Sequence, residues 1–344
     1  MEVRRIMYGY ITRGHLHTVS TLFSMFSNLE SLDEFANEYE IPSEAKPIVD
    51  VLLSGLKRDV NVRYIDGNNI VPNPIERNNK IVVAFSGGKD SVSTAMKYKN
   101  MGKDVQLFYV SGINKSYPDE MEHAQTIAKT LGLPLHIDYV KQGGKTSFKE
   151  SPIKNQIIAS MALNFAVEHC GCCSVAFGDF VTDNVNNSQF YESWSDTQEM
   201  WDAWLELVRL YVPNVELLIP FNTYNETLDI ITDNKELQSL TCSCILPYRF
   251  RKMTREGNIK KYNVDLLPNR CGSCWKCCTE YIFMVDKGVV PINEEFYKHC
   301  LDFLKSKLPS VRPEISPVNI KTAYEAFLHR DFSESIINKN IKSC

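Results

Sequence analysis

The chain has 344 residues, enough to bury a sizeable core as one large α/β domain or as a core with appendages. Its net charge of -4 and pI of about 6.0 exclude the overall basic field of a sequence-indifferent nucleic-acid binder. No apolar run is long enough to span a membrane, and the first residues lack a signal-peptide core, so we expect a cytoplasmic protein without a membrane partner.

Residues 1–79 are predicted to form a mainly helical appendage. Apolar residues recur at helical spacing in Val19–Leu29 and again in Ile48–Leu56. Asn73-Pro74 and the polar residues that follow have the composition of a connector, so a new domain is expected to begin at residue 80.

From residue 80 on, short apolar runs alternate with helical patterns. Such alternation is typical of βαβ units and predicts a mainly parallel, doubly wound α/β sheet covered by helices on both faces. The predicted strands are Ile81–Phe85, Val105–Val110, Leu135–Val140, Ser174–Phe177 and Glu216–Ile219. The predicted helices begin near Ser91 and at Pro118, and span Gln156–Glu168, Thr197–Tyr211, Glu294–Lys307 and Ile320–His329.

A glycine-rich loop, Ser86-Gly87-Gly88-Lys89-Asp90-Ser91, separates the first of these strands from the helix after it. The glycines let backbone N–H groups approach an anion, and the helix N-terminus adds unpaired donors and the positive end of its dipole. Both serine hydroxyls are further donors, and Lys89 supplies a positive charge. A Walker A loop is excluded, because Asp90 stands where that motif needs Ser or Thr. The alternative is an ordinary glycine turn.

The loop matches SGGxDS and therefore resembles the phosphate loop of the PP-loop ATP pyrophosphatases. The resemblance implies that residues Ser86 to Ser91 grip the β- and γ-phosphates of ATP, with Mg²⁺ bridging the phosphates, and leave the α-phosphorus open to a substrate oxygen. It makes Lys89, Asp90 and Ser91 the candidate catalytic residues. It also implies an adenine site at the end of the second strand, Val110-Ser111.

The eleven cysteines are numerous for a reducing compartment, and most of them are clustered. Cys271, Cys274 and Cys277 form CxxCxxC, a spacing that lets three thiolates face one point. Zinc prefers four thiolates, so either Cys242 or Cys244 is expected to supply the fourth. An iron–sulfur cluster and simple burial of free thiols are the alternatives.

This cysteine pattern is similar to the zinc site of 7-cyano-7-deazaguanine synthase and its relatives, which belong to the PP-loop superfamily. Phe177-Gly178 followed by Asp183 resembles the glycine-then-aspartate segment of that family, and Gly178 and Asp183 are candidate cofactor-binding residues. Asp179 and Asp183 follow a strand end, where a contact with Mg²⁺ or substrate and local helix capping are the two alternatives. The similarity spans about Lys80 to Ile282. The chain departs from the family by an insertion of about two dozen residues before Cys271, and it lacks the tyrosine-proline-aspartate-cysteine substrate segment.

Two weaker patterns each have two interpretations. Cys170-Gly171-Cys172-Cys173 could hold a persulfide-carrying thiol, but buried packing cysteines are favoured. The insertion carries basic side chains with aromatic residues between them, which would suit a phosphate-bearing substrate or nucleic acid, but a solvated loop is favoured. Trp201 and Trp204 are predicted to lie in the core. The basic residues of the insertion are Arg249, Arg251, Lys252, Arg255, Lys260 and Lys261.

The sequence therefore predicts four parts: a helical appendage (1–79), a PP-loop core (80–240), a cysteine-rich zinc segment (241–285) and a helical C-terminal region (286–344). The expected enzyme uses ATP, Mg²⁺ and Zn²⁺, adenylates a small-molecule substrate on an oxygen, and presents it to ammonia. The favoured substrate is a carboxylate on a deazapurine-type base. A nucleoside or tRNA thiolase and a non-catalytic nucleotide-binding module are the alternatives, and a homo-oligomer is left open.

Overall fold

The structure is a computed structural model that describes residues 41–56, 64–65, 72, 74–111, 120–139, 154–178, 198–220, 224–241, 244, 246 and 248–310. The chain divides into two compact units, Met1–Pro220 and Phe221–Cys344. The predicted helices Val19–Leu29 and Ile320–His329 lie outside the described residues, and the finer division into four parts stays a prediction. Within the described ranges no helix is long and apolar enough to cross a membrane.

The first unit is built on a five-stranded parallel sheet with strand order β5-β4-β3-β6-β7. Every strand starts and ends within one residue of its predicted bounds, because continuous apolar runs are what a sheet buried on both faces requires. A separate parallel pair consists of β1 (Ile41–Pro42) and β2 (Tyr64–Ile65). The five strands are β3 (Lys80–Ala84), β4 (Asp104–Ser111), β5 (Leu135–Tyr139), β6 (Ser174–Phe177) and β7 (Glu216–Leu218).

The strand order reverses at β3. The chain first winds outward through β4 to β5, then returns to the other side of β3 as β6 and continues to β7. Since parallel crossovers are right-handed, the two halves place their helices on opposite faces of the sheet. This confirms the predicted doubly wound α/β fold. The crossover helices are α2 (Lys89–Asn100), α3 (Glu120–Leu131), α4 (Lys154–Phe165) and α5 (Gln198–Arg209).

An apolar core fills the space between one face of the sheet and three helices. Val82, Phe108 and Val175 of the sheet belong to it, together with residues of α4 and α5. The N-terminal helix α1 (Lys46–Leu56), which the sequence predicted, adds Ile48 and packs against α5. The described part of the N-terminal appendage is therefore attached to the sheet domain through its own apolar face.

Two tryptophans of α5 lie at the centre of this core. Trp201 and Trp204 are each 1% exposed, and their rings meet edge to face at 5.8 Å. The indole Nε1 of Trp204 donates a hydrogen bond of 2.9 Å to Ser160 Oγ of α4, which satisfies its buried polar atom. Both tryptophans are thus core residues, as predicted.

The second unit is helical in all its described elements. Its helices α9 and α10 pack against each other, and Phe296, Tyr297 and Ile282 are buried between them and the neighbouring α8. The helices are α6 (Tyr224–Thr232), α7 (Lys235–Leu240), α8 (Tyr248–Tyr262), α9 (Trp275–Asp286) and α10 (Glu294–Ser310).

Helix α8 corrects the prediction of a solvated loop in the basic insertion. Arg251 donates to the carbonyl of Leu246 at 3.3 and 3.4 Å, and Arg255 donates to the carbonyls of Leu266 and Leu267. These guanidinium groups satisfy backbone carbonyls at the two ends of the insertion. The charge pattern predicts solvated side chains, whereas Arg251 and Arg255 bind backbone carbonyls and thereby hold the helix in place.

Replacing Trp204 by Ala should lower the free energy of unfolding by about 3–5 kcal/mol, because it removes a fully buried ring and leaves a cavity. Urea denaturation followed by circular dichroism measures this. Met101→Ala is the control, since Met101 is 63% exposed and should change stability by less than about 0.5 kcal/mol. Equal stability of Trp204→Ala and the wild type would contradict the packing described above.

Candidate nucleotide and metal sites

The point where the strand order reverses creates a crevice at the carboxyl edge of the sheet. Strands β3 and β6 are neighbours, with Ala84 paired to Phe177 at their carboxyl ends. The glycine-rich loop follows Ala84, and Gly178 follows Phe177. Open α/β sheets bind ligands at such a switch point. The predicted phosphate-binding residues and Gly178 therefore lie at the same edge.

The loop is shaped by its two serines. Ser91 Oγ accepts a hydrogen bond from the Ser86 amide at 3.2 Å, lies 3.3 Å from Ser86 Oγ, and donates to the Gly88 carbonyl at 3.0 Å. Gly88 is the N-cap of α2 and makes no side-chain hydrogen bond to the first turn, where the backbone amides of a helix have no intrahelical acceptor. A loop of this shape presents donors to an anion.

Gly87 is a position that other residues cannot occupy without strain. Its φ is +73°, and a Cβ atom added there would lie 3.3 Å from Ala124 Cα in α3. The same Cβ would lie 3.4 Å from His123 Cδ2, so His123 is a neighbour of the loop that the sequence analysis left unassigned. The glycine lets the loop pass closely over α3.

Gly178 touches the start of α2 even more closely. An added Cβ would lie 2.7 Å from both the carbonyl carbon and the carbonyl oxygen of Asp90, and 2.8 Å from the amide nitrogen of Ser91. Backbone atoms cannot yield as a flexible side chain can, so this contact requires glycine. The carboxyl end of β6 and the phosphate loop are thereby held together.

The side chains of Lys89 and Asp90 differ in exposure. Asp90 keeps 26% of its side chain accessible and forms an ion pair with Lys89, whose side chain is only 1% accessible. Lys89 was expected to face a ligand, but in the structure it is buried. A buried ammonium group needs a partner, and Lys89 forms an ion pair with Asp90 in this structure. A contact between Lys89 and ATP stays a prediction.

The remaining predicted nucleotide residues are only partly described. Val110 is buried and Ser111 half-buried at the carboxyl end of β4, beside the loop's own strand. Asp179 and Asp183 lie outside the described residues. Asp138, which the sequence analysis missed, is 7% exposed and pairs in register with Val110. An acidic residue inside an apolar run at a strand end was the signal that could have identified it.

A Gly178→Ala variant should lose the loop's function, because its methyl group would have to displace the backbone of Asp90 and Ser91. We expect at least a tenfold loss of ATP affinity, measured by equilibrium binding of a fluorescent ATP analogue. Gly257→Ala is the matched control, since a Cβ at Gly257 meets nothing within 4 Å. Unchanged affinity in Gly178→Ala would show that this contact does not shape the site.

The second unit brings four cysteines together. The sulfurs of Cys244, Cys271, Cys274 and Cys277 all lie within 4.8 Å of one another, and all four residues are buried. Cys244 and Cys274 are 3.9 Å apart at their sulfurs. Cys244, one of the two candidates for the fourth position, therefore lies with the other three cysteines, and Cys242, the second candidate, lies outside the described residues.

Backbone amides donate to three of these four sulfurs, and the pKa is lowered at Cys244 and Cys274 but raised at Cys271 and Cys277, where hydrogen bonds to the neighbouring thiols favour the protonated form. Ser273 donates to Cys271 Sγ at 3.3 Å, Cys277 to Cys274 Sγ at 3.5 Å, and Leu246 to Cys244 Sγ at 3.5 Å. Hydrogen bonds from the neighbouring thiols, with Cys271 first, hold the pKa of Cys244 well below its usual range. A thiolate is the form that binds metal.

The cluster fits one zinc ion. Tetrahedral zinc with Zn–S bonds of about 2.3 Å places its sulfurs about 3.8 Å apart, close to the separation of Cys244 and Cys274. An iron–sulfur cluster interposes several atoms between its thiolates and would hold them further apart. Cys278 takes no part, because its sulfur points to the Gly272 carbonyl at 3.7 Å.

A buried arginine links the two segments that carry the cysteines. Arg270, next to Cys271, pairs with Glu280 of α9 at 2.9 Å. The same guanidinium donates to the Gln238 carbonyl at 2.8 Å and to Thr241 Oγ1 at 3.1 Å, just before Cys244. These hydrogen bonds tie the segment before Cys244 to the start of the cysteine-rich turn.

The third cysteine group lies at the opposite edge of the sheet from the phosphate loop. Cys170, Cys172 and Cys173 precede β6, whereas Gly178 follows it. Because β3 and β6 are parallel, these cysteines are at the amino edge, about 13 Å from the carboxyl edge at the usual rise of a strand. Cys172 and Cys173 are each 1% exposed.

Comparison with known proteins confirms the resemblance to the PP-loop ATP pyrophosphatase superfamily. The tRNA-5-methyluridine(54) 2-sulfurtransferase of Pyrococcus horikoshii is 35% identical over 69 residues, which cover 20% of this chain and 22% of that protein. The 7-cyano-7-deazaguanine synthase of Methanococcus vannielii is 25% identical over 247 residues, which cover 62% of this chain and 98% of that protein. Both relatives belong to this superfamily.

The comparisons with protein-family models and with solved structures do not define the family further. No protein-family model matches the chain. A solved structure described as a predicted subunit of a tRNA methyltransferase from Methanocaldococcus jannaschii aligns with a TM-score of 0.28 and 18% identity. That alignment covers 44% of this chain and 73% of that one, and no argument is based on it.

Purified protein should contain about one zinc per chain, and Cys244→Ser should lose the metal together with much of its stability, since a structural zinc contributes folding free energy. Elemental analysis and thermal melting measure both effects. Cys278→Ala is the control, because it removes a buried sulfur outside the cluster and should retain zinc. Iron in place of zinc, or full zinc content in Cys244→Ser, would contradict this assignment.

Proposed function

We propose that this chain is an ATP-dependent enzyme that transfers AMP to an oxygen of a small-molecule substrate and releases pyrophosphate. The observation that supports this most is the crevice at the switch point, where the glycine-rich loop and Gly178 lie in contact. Amide donors at the start of α2 would hold the departing pyrophosphate. The α-phosphorus would then face the crevice, where the substrate can reach it.

Different residues of the loop would bind the phosphates and Mg²⁺. Gly87 and Gly88 allow the close approach of the phosphates, and the Ser86 and Ser91 hydroxyls can exchange their contacts with each other for contacts with phosphate oxygens. Asp90 is the exposed carboxylate of the loop and would hold Mg²⁺, which prefers carboxylate and phosphate oxygens. Bound Mg²⁺ would neutralise charge on the leaving pyrophosphate.

The proposed product is formed from a carboxylate and ammonia, as in a 7-cyano-7-deazaguanine synthase. The relative of that name matches this chain along 98% of its own length. A carboxylate is already ionised at neutral pH and is a ready acceptor for AMP. The cysteine cluster would hold zinc as a structural element of the second unit.

Thiolation is the second candidate, supported by the sulfurtransferase that is 35% identical over 69 residues. A thiolase needs a sulfur donor near the activated atom. The thiols that the sequence offered for this, Cys170, Cys172 and Cys173, precede β6 and lie at the amino edge of the sheet. Their distance from the loop favours ammonia over an enzyme-bound sulfur.

The protein incubated with ATP, Mg²⁺, a carboxy-deazaguanine and ammonium should release AMP and pyrophosphate and form an amide or nitrile. Asp90→Asn should lower AMP release about 100-fold, since it removes the carboxylate of the loop. Asp202→Asn, the same change at an exposed position of α5, is the control and should keep full activity. AMP release is followed by chromatography and the product by mass spectrometry.

Two other outcomes would each favour an alternative function. Product that appears with a sulfide source but not with ammonium would replace the synthase with the thiolase. Binding of ATP without any release of AMP, under every substrate tested, would instead favour a non-catalytic nucleotide-binding module.

A further inference from the structure

A pair of cysteines at the amino edge of the sheet takes no part in the proposed function. Cys170 ends a single π-helical turn, Ala166–Cys170, that extends α4, and Cys172 stands just before β6. Gly171 between them has a left-handed backbone, with φ of 60° and ψ of 37°. That turn reverses the chain, which brings two residues of i, i+2 spacing into the Cα separation of about 4.4–6.8 Å that a disulfide needs.

Neighbouring backbone and side chains fix the turn. Asn78 Nδ2 donates to the Gly171 carbonyl at 2.7 Å, and Lys80 Nζ donates to the Cys170 carbonyl at 3.3 Å. The Cys172 amide donates to the Ala166 carbonyl at 2.9 Å. Contacts from Asn78, Lys80 and Ala166 therefore fix the backbone of the turn, and the side chains of Cys170 and Cys172 are hydrogen-bonded to each other.

The two thiols of the pair are unequal. Cys170 is half-buried, whereas Cys172 is 1% exposed. A side-chain hydrogen bond from Cys172, and then the positive charge of Lys80, lower the pKa of Cys170 against the opposing effect of burial. The same hydrogen bond and burial raise the pKa of Cys172. One accessible thiol of thiolate character beside one buried thiol is the arrangement found in oxidant-sensitive pairs.

We propose that Cys170 and Cys172 form a redox-active dithiol that hydrogen peroxide converts into an intramolecular disulfide. The Cys170 thiolate attacks one peroxide oxygen, an S–O bond forms as the O–O bond breaks, and the departing hydroxide takes up a proton to become water. The Cys172 thiol then attacks the Cys170 sulfur, its proton leaves with the hydroxyl as a second water, and an S–S bond forms. Peroxide is reduced by two electrons and the dithiol is oxidised by two.

Cys173 is excluded from the pair and supplies an internal control. It is 1% exposed, its carbonyl accepts the Glu216 amide at 2.9 Å, and burial raises the pKa of its thiol. Cys172 is buried to the same extent, but it is the thiol hydrogen-bonded to Cys170 and is therefore the one placed to attack an oxidised Cys170. Oxidation should therefore consume two of the three thiols in this segment and leave the third.

The test measures this segment separately from the zinc cluster. Trypsin cleavage after Lys154 and Arg209 releases residues 155–209 as one peptide, because no other lysine or arginine lies between them, and its only cysteines are Cys170, Cys172 and Cys173. The whole protein is treated with hydrogen peroxide, then denatured and alkylated before digestion. We expect the peptide to lose two hydrogens and to take up one alkyl group instead of three, with all three sites restored by dithiothreitol.

Variants identify the roles of the individual thiols. Cys173→Ser should still form the disulfide at the wild-type rate, whereas Cys170→Ser should consume peroxide at least about tenfold more slowly. Cys172→Ser should stop at a sulfenic acid on Cys170 that dimedone labels. Three alkylatable thiols in the wild-type peptide after peroxide has already released the zinc would overturn the proposal. So would disulfide formation that requires Cys173. Thermal melting of each variant confirms that it is folded.

Discussion

The contact between Gly178 and the first residues of α2 constrains everything at the carboxyl edge of the sheet. A strand end and a helix start can meet at van der Waals distance only if one of them lacks a side chain, and a Cβ at Gly178 would lie 2.7 Å from the Asp90 backbone. The contact holds the glycine-rich loop against the carboxyl end of β6, where β3 and β6 are neighbours.

Position in the fold gives the cysteines of this chain different chemistries. Four of them converge from two segments of the second unit, where amides and the Arg270–Glu280 pair prepare a rigid tetrahedral site. Cys170 and Cys172 instead face each other across one left-handed glycine, a geometry with room for a covalent bond but too few ligands for tetrahedral zinc. The neighbouring Cys173 is a buried residue that packs in the core.

The sequence predicted the features that depend on local pattern. Apolar runs located all five strands of the large sheet, and the loop between β3 and α2 was recognised from its glycines and serines. The predictions from the sequence were wrong where contacts outside the local pattern determine the structure. The basic residues of helix α8 predict a solvated loop, because the sequence does not show that Arg251 and Arg255 donate hydrogen bonds to backbone carbonyls. The position of Asp138 depends on its pairing with Val110, which is remote in sequence, and the burial of Lys89 beside Asp90 is not visible in the local charge pattern.

The left-handed glycine of the cysteine-rich turn connects metal binding to the architecture of the second unit. A Cβ at Gly272 would lie 2.8 Å from the Phe296 ring of α10 and 2.9 Å from Leu266, so the turn rests directly on the apolar residues that bury this helix. The turn and α10 therefore open and close together. In native-state hydrogen exchange they would form a single cooperative unit, whose amide protection follows the occupancy of the cysteine cluster.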